Sequence, residues 1–109
     1  MAYDENLAAR LRSQFARRND VHEKRMFGGL AFLLRGNMCV GVHGSDLIVR
    51  LPPEDTEGAL KAAHTRRFDL TGRPMQGWIL AGPKGTTTDA ALGKWLTGAI
   101  EYVESLPAK

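Results

Sequence analysis

The sequence predicts an α+β domain: an antiparallel sheet built on a central β-meander, with N-terminal, middle and C-terminal helices packed on it. Three observations carry that expectation. Three short apolar runs, Leu30–Leu34, Met38–Val42 and Leu47–Leu51, are separated by Gly-Asn and Gly-Ser-Asp clusters, the pattern of strands joined by tight turns. Apolar residues recur at helical spacing before them (Leu7, Leu11, Phe15) and after them (Leu92, Trp95, Leu96, Ala99, Ile100, Val103). With 109 residues, 43% hydrophobic and 25% charged, the chain has the size and balance of a single domain over 1–109 with one core.

Taken in order, Asp4 caps a first helix expected over 4–18, with Ala8 and Ala16 widening its apolar stripe. Arg17 and Arg18 would sit at its negative C-terminal end, and Asn19-Asp20 stops it. Val21 to Met26 reads as a short strand or an extended lead-in. Phe27-Gly28-Gly29 is a bend whose backbone needs freedom that a Cβ would deny. A phosphate cradle there would require a third glycine and a following helix, and neither follows.

Register follows from the turns. With Arg35-Gly36-Asn37 as a three-residue loop, Leu34 faces Met38 and Phe32 faces Val40. One face then carries Leu30, Phe32, Leu34, Met38, Val40, Val42, Leu47, Val49 and Leu51, which a layer of helices would cover. The other face carries Ala31, Leu33, Cys39, Gly41, His43, Ile48 and Arg50. A two-residue turn would instead bring Ala31 and Leu33 to the helix side.

Pro52-Pro53 ends the third run, and Pro53 with Glu54, Asp55 and Glu57 opens a middle helix to about His64. Further strands are expected from Thr65 through Phe68 and Leu70, and over Met75–Leu80. Gly82-Pro83-Lys84-Gly85 is a turn, and one of Thr86 to Thr88 caps the last helix.

The net charge is +3, modestly basic, but the charge is clustered. Arg17, Arg18, Lys24 and Arg25 fall in one group and Arg66 and Arg67 in another; these six are the candidate nucleic-acid contacts, since basic groups attract phosphate backbones. The simpler reading is a solvated surface. No apolar run approaches the roughly 18 residues of a membrane span, and the N-terminus lacks a signal pattern, so a soluble cytoplasmic protein is expected.

Chemistry-bearing patterns are sparse. His22, His43, His64 and Cys39 show none of the usual metal-ligand spacings. Cys39 and His43, four residues apart on one strand face, would be separated by about 13 Å. The Gly82–Thr87 stretch has glycine, lysine and hydroxyls before a helix, yet Pro83 breaks the order of a phosphate-binding loop, and turn plus capping explains it. Trp95 lies on the apolar stripe and is expected in the core; Trp78 could face either way. No catalytic, cofactor-binding or metal-binding residue is assigned, and no cofactor is expected.

Met26-Phe27-Gly28-Gly29-Leu30-Ala31-Phe32, followed by Gly36-Asn37-Met38, Gly41-Val42, Gly72-Arg73-Pro74-Met75 and Trp78, resembles the TfoX/Sxy N-terminal domain family. The resemblance runs from the first helix through the last and rests on fold signatures. It implies an α+β domain with helices on an antiparallel sheet. Full-length members linked to natural competence act as transcriptional coregulators and carry a second, helical C-terminal domain; this chain is expected to be a stand-alone N-terminal domain. The resulting expectation is a non-enzymatic regulatory module with a protein partner and a homodimer as one option. A nucleic-acid-binding module is the alternative, with a small-molecule binder or enzyme third.

Overall fold

The computed structural model describes residues 3–26, 28–68 and 76–108. Six strands form one sheet in the order β1-β2-β3-β4-β6-β5, every neighbouring pair antiparallel. They are β1 Val21–Met26, β2 Gly29–Leu34, β3 Asn37–His43, β4 Asp46–Arg50, β5 Thr65–Arg67 and β6 Trp78–Ala81. The helices are α1 Glu5–Gln14, a single turn α2 Thr56–Ala59, and α3 Asp89–Glu104. The expected α+β architecture, with helices at the start, middle and end, is therefore what the chain adopts.

The Asp4 carboxylate accepts from Asn6 N and Leu7 N at 2.9 and 3.2 Å, the cap anticipated for α1. The helix ends four residues earlier than expected. Phe15 caps its C-terminus and turns inward to stack on Phe32, with ring centroids 5.7 Å apart. Arg17 and Arg18 thus lie beyond the helix, and Arg12 occupies its last turn. Arg18 bonds Asp20 and Glu104 instead.

The meander corrects the expected register in an instructive way. The β2–β3 turn has two residues, Arg35 and Gly36, both with positive φ (54° and 86°), the backbone of a type I′ turn. Leu34 therefore pairs with Asn37 and Leu33 with Met38. Left alone, that register would put Ala31 and Leu33 under the helices. A bulge intervenes: the ladder steps from Leu33–Met38 to Phe32–Val40, leaving Cys39 as the extra residue. Phe32–Val40 and Leu30–Val42 pairing is restored, while Met38 and Cys39 exchange faces relative to expectation.

The helix side holds Leu30, Phe32, Leu34, Cys39, Val40, Val42, Leu47, Val49 and Leu51 against Leu7, Leu11 and Phe15 before them and Leu92, Leu96, Ala99 and Val103 of α3. The other side holds a smaller cluster of Ala31, Met38, Ile48, Phe68 and Leu80, flanked by half-buried Met26, Leu33 and Trp78. Met38 lies across Gly41, where a Cβ would come within 2.9 Å of its methyl carbon. Gly29 has no room for any side chain, because a Cβ would stand 2.1 Å from the Val42 carbonyl oxygen. Gly28 supplies the positive φ of the bend, 73°. Phe27, and the expected strand beyond Phe68 through Leu70, lie outside the described residues, as do Gly72 to Met75.

The middle helix is shorter than expected: a 3-10 turn over Pro53–Asp55 leads into α2, which stops at Leu60, and His64 takes a positive φ of 66°. Buried Thr56 fixes this segment, its hydroxyl donating to Pro53 O at 2.8 Å and accepting from Gly77 N at 2.6 Å. At the far end, Thr88 caps α3 by accepting from Ala91 N at 3.0 Å. Asp20 receives Arg18 and Arg35, both of which also reach Glu104, and Asn37 donates to Pro107 O at 2.9 Å. These contacts fasten the end of α3 to the β2–β3 turn.

Candidate functional site

Four of the six basic candidates lie on two strands that the topology sends to opposite edges of the sheet. Lys24 and Arg25 are on β1, Arg66 and Arg67 on β5, and five inter-strand spacings separate those edges by about 24 Å. Arg66 pairs with Asp46 and Arg67 with Glu57; Arg18 is held between Asp20 and Glu104, each at 3.0 Å. Arg17, Lys24 and Arg25 are exposed and make no ion pair among the described residues. The six do not converge on one surface. On β1, charge also protects a sheet edge that would otherwise offer unpaired backbone groups to another strand.

Cys39 is 1% exposed, and burial pushes its thiol up to about 12. It is a packed, protonated side chain at neutral pH. The bulge turns it into the helix-side core, whereas strand alternation from Val42 sends His43 to the other face, so the two do not share a face as expected. His22 lies on β1 and His64 follows α2. Among the described residues, no group of three His, Cys, Asp or Glu side chains is placed to hold one ion.

The Gly82–Thr87 stretch is a structural turn. Gly82 N donates to His64 O at 2.7 Å, Gly85 N to Gly82 O at 2.9 Å and Thr86 N to Pro83 O at 3.2 Å, so these amides are already used. Trp78 faces the second side of the sheet, edge-on to Phe68 at 5.8 Å, with the Arg50 guanidinium 5.1 Å from its ring centre. The same guanidinium lies 5.8 Å from the Tyr102 ring and donates to Met38 O at 3.3 Å.

What the structure does assemble is a groove along α3. Its first depression, about 420 Å³, is lined by Leu51, Ala62, Ala63, Gly85, Ala91, Lys94 and Trp95. Trp95 packs on the core, as expected, and remains partly exposed on its groove side. A second depression, about 370 Å³, continues past Leu51 and is lined by Pro52, Glu54, Asp55, Gly98, Glu101 and Tyr102. Leu51 separates the two, close enough that a Cβ on Gly98 would meet its Cδ2 at 3.2 Å. The first depression is apolar with Lys94 at its side; carboxylates line the second.

Of the residues α3 contributes to this groove, only Trp95 was singled out from the sequence, and as a core residue, although a signal for the rest was there. Ala91, Gly98 and Ser105 recur at seven residues, as do Lys94 and Glu101, and Trp95 and Tyr102. A heptad row beside the core stripe marks a second helix face of one orientation.

Taken together, an antiparallel six-stranded sheet with helices packed on it, and a groove beside the longest helix, define an α+β domain. The family model of the TfoX N-terminal domain matches residues 13–103, from the end of α1 almost to the end of α3, and the chain belongs to that family. No curated protein and no solved structure matched the chain. Among the described residues no helix is long and apolar enough to cross a membrane.

Proposed function

We propose that this chain is a non-enzymatic interaction module that holds a protein segment in the groove along α3. Its setting is the cytoplasm and its role regulatory, with transcription or competence the context that the family resemblance implies. The observation that carries this reading is partly exposed Trp95, standing in an apolar depression beside Lys94, which makes no ion pair among the described residues. Exposed aromatics in apolar hollows are the usual anchors of protein contacts. The packed, protonated Cys39 and the distribution of the histidines over separate elements support a binding role over a catalytic one.

Affinity capture from an extract of the source cells tests it, comparing the natural chain with Ala63→Arg. Ala63 is exposed at the groove mouth, so the longer side chain fills the hollow without disturbing the core. A partner retained by the first and lost by the second is the expected result; a partner held equally by both would place the contact elsewhere.

Nucleic-acid binding is the second reading, favoured by Arg17, Lys24 and Arg25, which make no ion pair among the described residues. Duplex DNA binding through them would weaken steeply with salt, whereas an apolar groove contact would not. Salt-sensitive binding lost in Lys24→Glu with Arg25→Glu, and kept in Ala63→Arg, would replace the groove reading.

A further inference from the structure

α3 carries four charged side chains, and they divide into two pairs. Asp89 bonds Arg10 at 3.3 Å, and Glu104 bonds Arg18 and Arg35 at 3.0 and 3.7 Å. Lys94 and Glu101 have no ion pair among the described residues, and both are exposed. They cannot pair with each other, being about 10.5 Å apart along the axis. They are also the two charges that α3 brings to the groove, Lys94 in the first depression and Glu101, beside Glu54 and Asp55, in the second.

The row to which they belong is nearly symmetric about Gly98, each complementary pair falling one residue, about 1.5 Å, out of exact register on reversal. Three and four residues before it stand Trp95 and Lys94; three and four after it stand Glu101 and Tyr102. A second α3 running antiparallel across Gly98 would set Lys94 against Glu101 of the second copy, twice by symmetry. Trp95 would likewise meet Tyr102 of the second copy, again twice. A two-fold interface requires that kind of self-complementarity, because one patch must match itself reversed. Gly98 adds no side chain at the crossing, where Leu51 Cδ2, 3.2 Å from the position of a Cβ, supplies the apolar contact.

From this we infer that the groove's occupant is a second copy of this chain, joined through antiparallel α3 helices crossing at Gly98. The inference rests on reading the groove as a protein interface and names its partner.

Charge reversal tests it without touching the core. Molar mass is followed by sedimentation and light scattering across a concentration series, with circular dichroism confirming the fold of each variant. The natural chain is expected to dimerise. Lys94→Glu and Glu101→Lys singly are each expected to weaken association by about tenfold or more, since each places like charges together at two symmetric points. The double variant Lys94→Glu with Glu101→Lys restores opposite signs and is expected to recover the dimer. A chain that stays monomeric, a dimer indifferent to either single reversal, or a double variant that fails to recover would each overturn the inference. A monomer whose captured partner is lost in Ala63→Arg would leave the groove as an interface for another protein. A monomer whose capture is untouched by Ala63→Arg would remove both readings.

Discussion

The two faces of the sheet are stabilised by different means. The helix side buries large side chains in depth: Phe32 under Phe15, with Leu34, Leu47 and Val49 under α3, and closes its margins with Arg12–Glu23, Arg10–Asp89 and the Asp20 network. The other side is thin. Met38 reaches across Gly41, small Ala31 sits beside it, and Arg50 closes one margin by resting on Trp78. Both faces have fully buried residues, but only the first has two helices behind it. The difference teaches that burial of a side chain and thickness of the layer above it are separate quantities, and that mutational cost should follow the second.

The largest expected effect sharpens that contrast. Phe32→Ala should destabilise the fold by about 3–5 kcal/mol, read by urea denaturation, because surrounding helices and strands prevent the cavity from collapsing. Met38→Ala on the thinner side should lose about 2 kcal/mol, the low end for such truncations, since the site lies nearer solvent and can close. Equal losses at the two positions would break the comparison.

Thr56→Val comes next. It keeps the shape but leaves Gly77 N without its 2.6 Å acceptor, and about 1–2 kcal/mol of stability should go with it. Retained stability would mean that another acceptor reaches the amide.

The acid margin is a smaller lever. Arg18 foremost, then Arg35, holds the Asp20 carboxyl down from 3.8 to about 2. Its folded value is depressed, so its contribution is fully present above about pH 4 and is lost as pH falls through about 2. Carbon-detected NMR titration of Asp20 should show that midpoint, and Arg18→Gln should move it upward; an unmoved midpoint would assign the shift to another cause.

The smallest effect on stability accompanies a clear chemical readout. With its thiol pushed up to about 12 by burial, Cys39 should label with thiol reagents only as the chain opens, at a rate that tracks denaturant. Rapid labelling of the folded chain would show the helix side to be less closed than its packing indicates.

The helix-covered face was largely legible in the sequence, because period-two alternation in Leu30–Phe32–Leu34, Val40–Val42 and Leu47–Val49–Leu51 survives in the sheet. Met38 and Cys39 were not legible, since a two-residue turn and a bulge each shift the register and nearly cancel. Nothing in the composition near Cys39 signals the inserted residue. The early end of α1 was hidden as well: Phe15 continues the helical stripe in sequence, yet caps the helix in space while still reaching the core.

For the candidate site, adjacency in sequence misled. Lys24-Arg25 and Arg66-Arg67 look like two halves of one patch until the strand order sends β1 and β5 to opposite edges. The row on α3 was readable by its seven-residue repeat, but Trp95 falls at the border between the core stripe and that row. An apolar residue on such a border is counted with the core by periodicity alone, whereas its neighbours Ala62 and Ala63 are too small to cover it.

The extra residue in β3 also bears on how this family could tolerate changes of length. Removing Cys39 would leave Leu33 opposite Met38 and Phe32 opposite Val40, an unbroken ladder, with only a thiol-sized void beneath α3. Removing Val40 instead would discard a buried member of the Phe32 pair. Chains one residue shorter are therefore admissible at one point of this strand, and an alignment gap at Cys39 need not signal a different architecture.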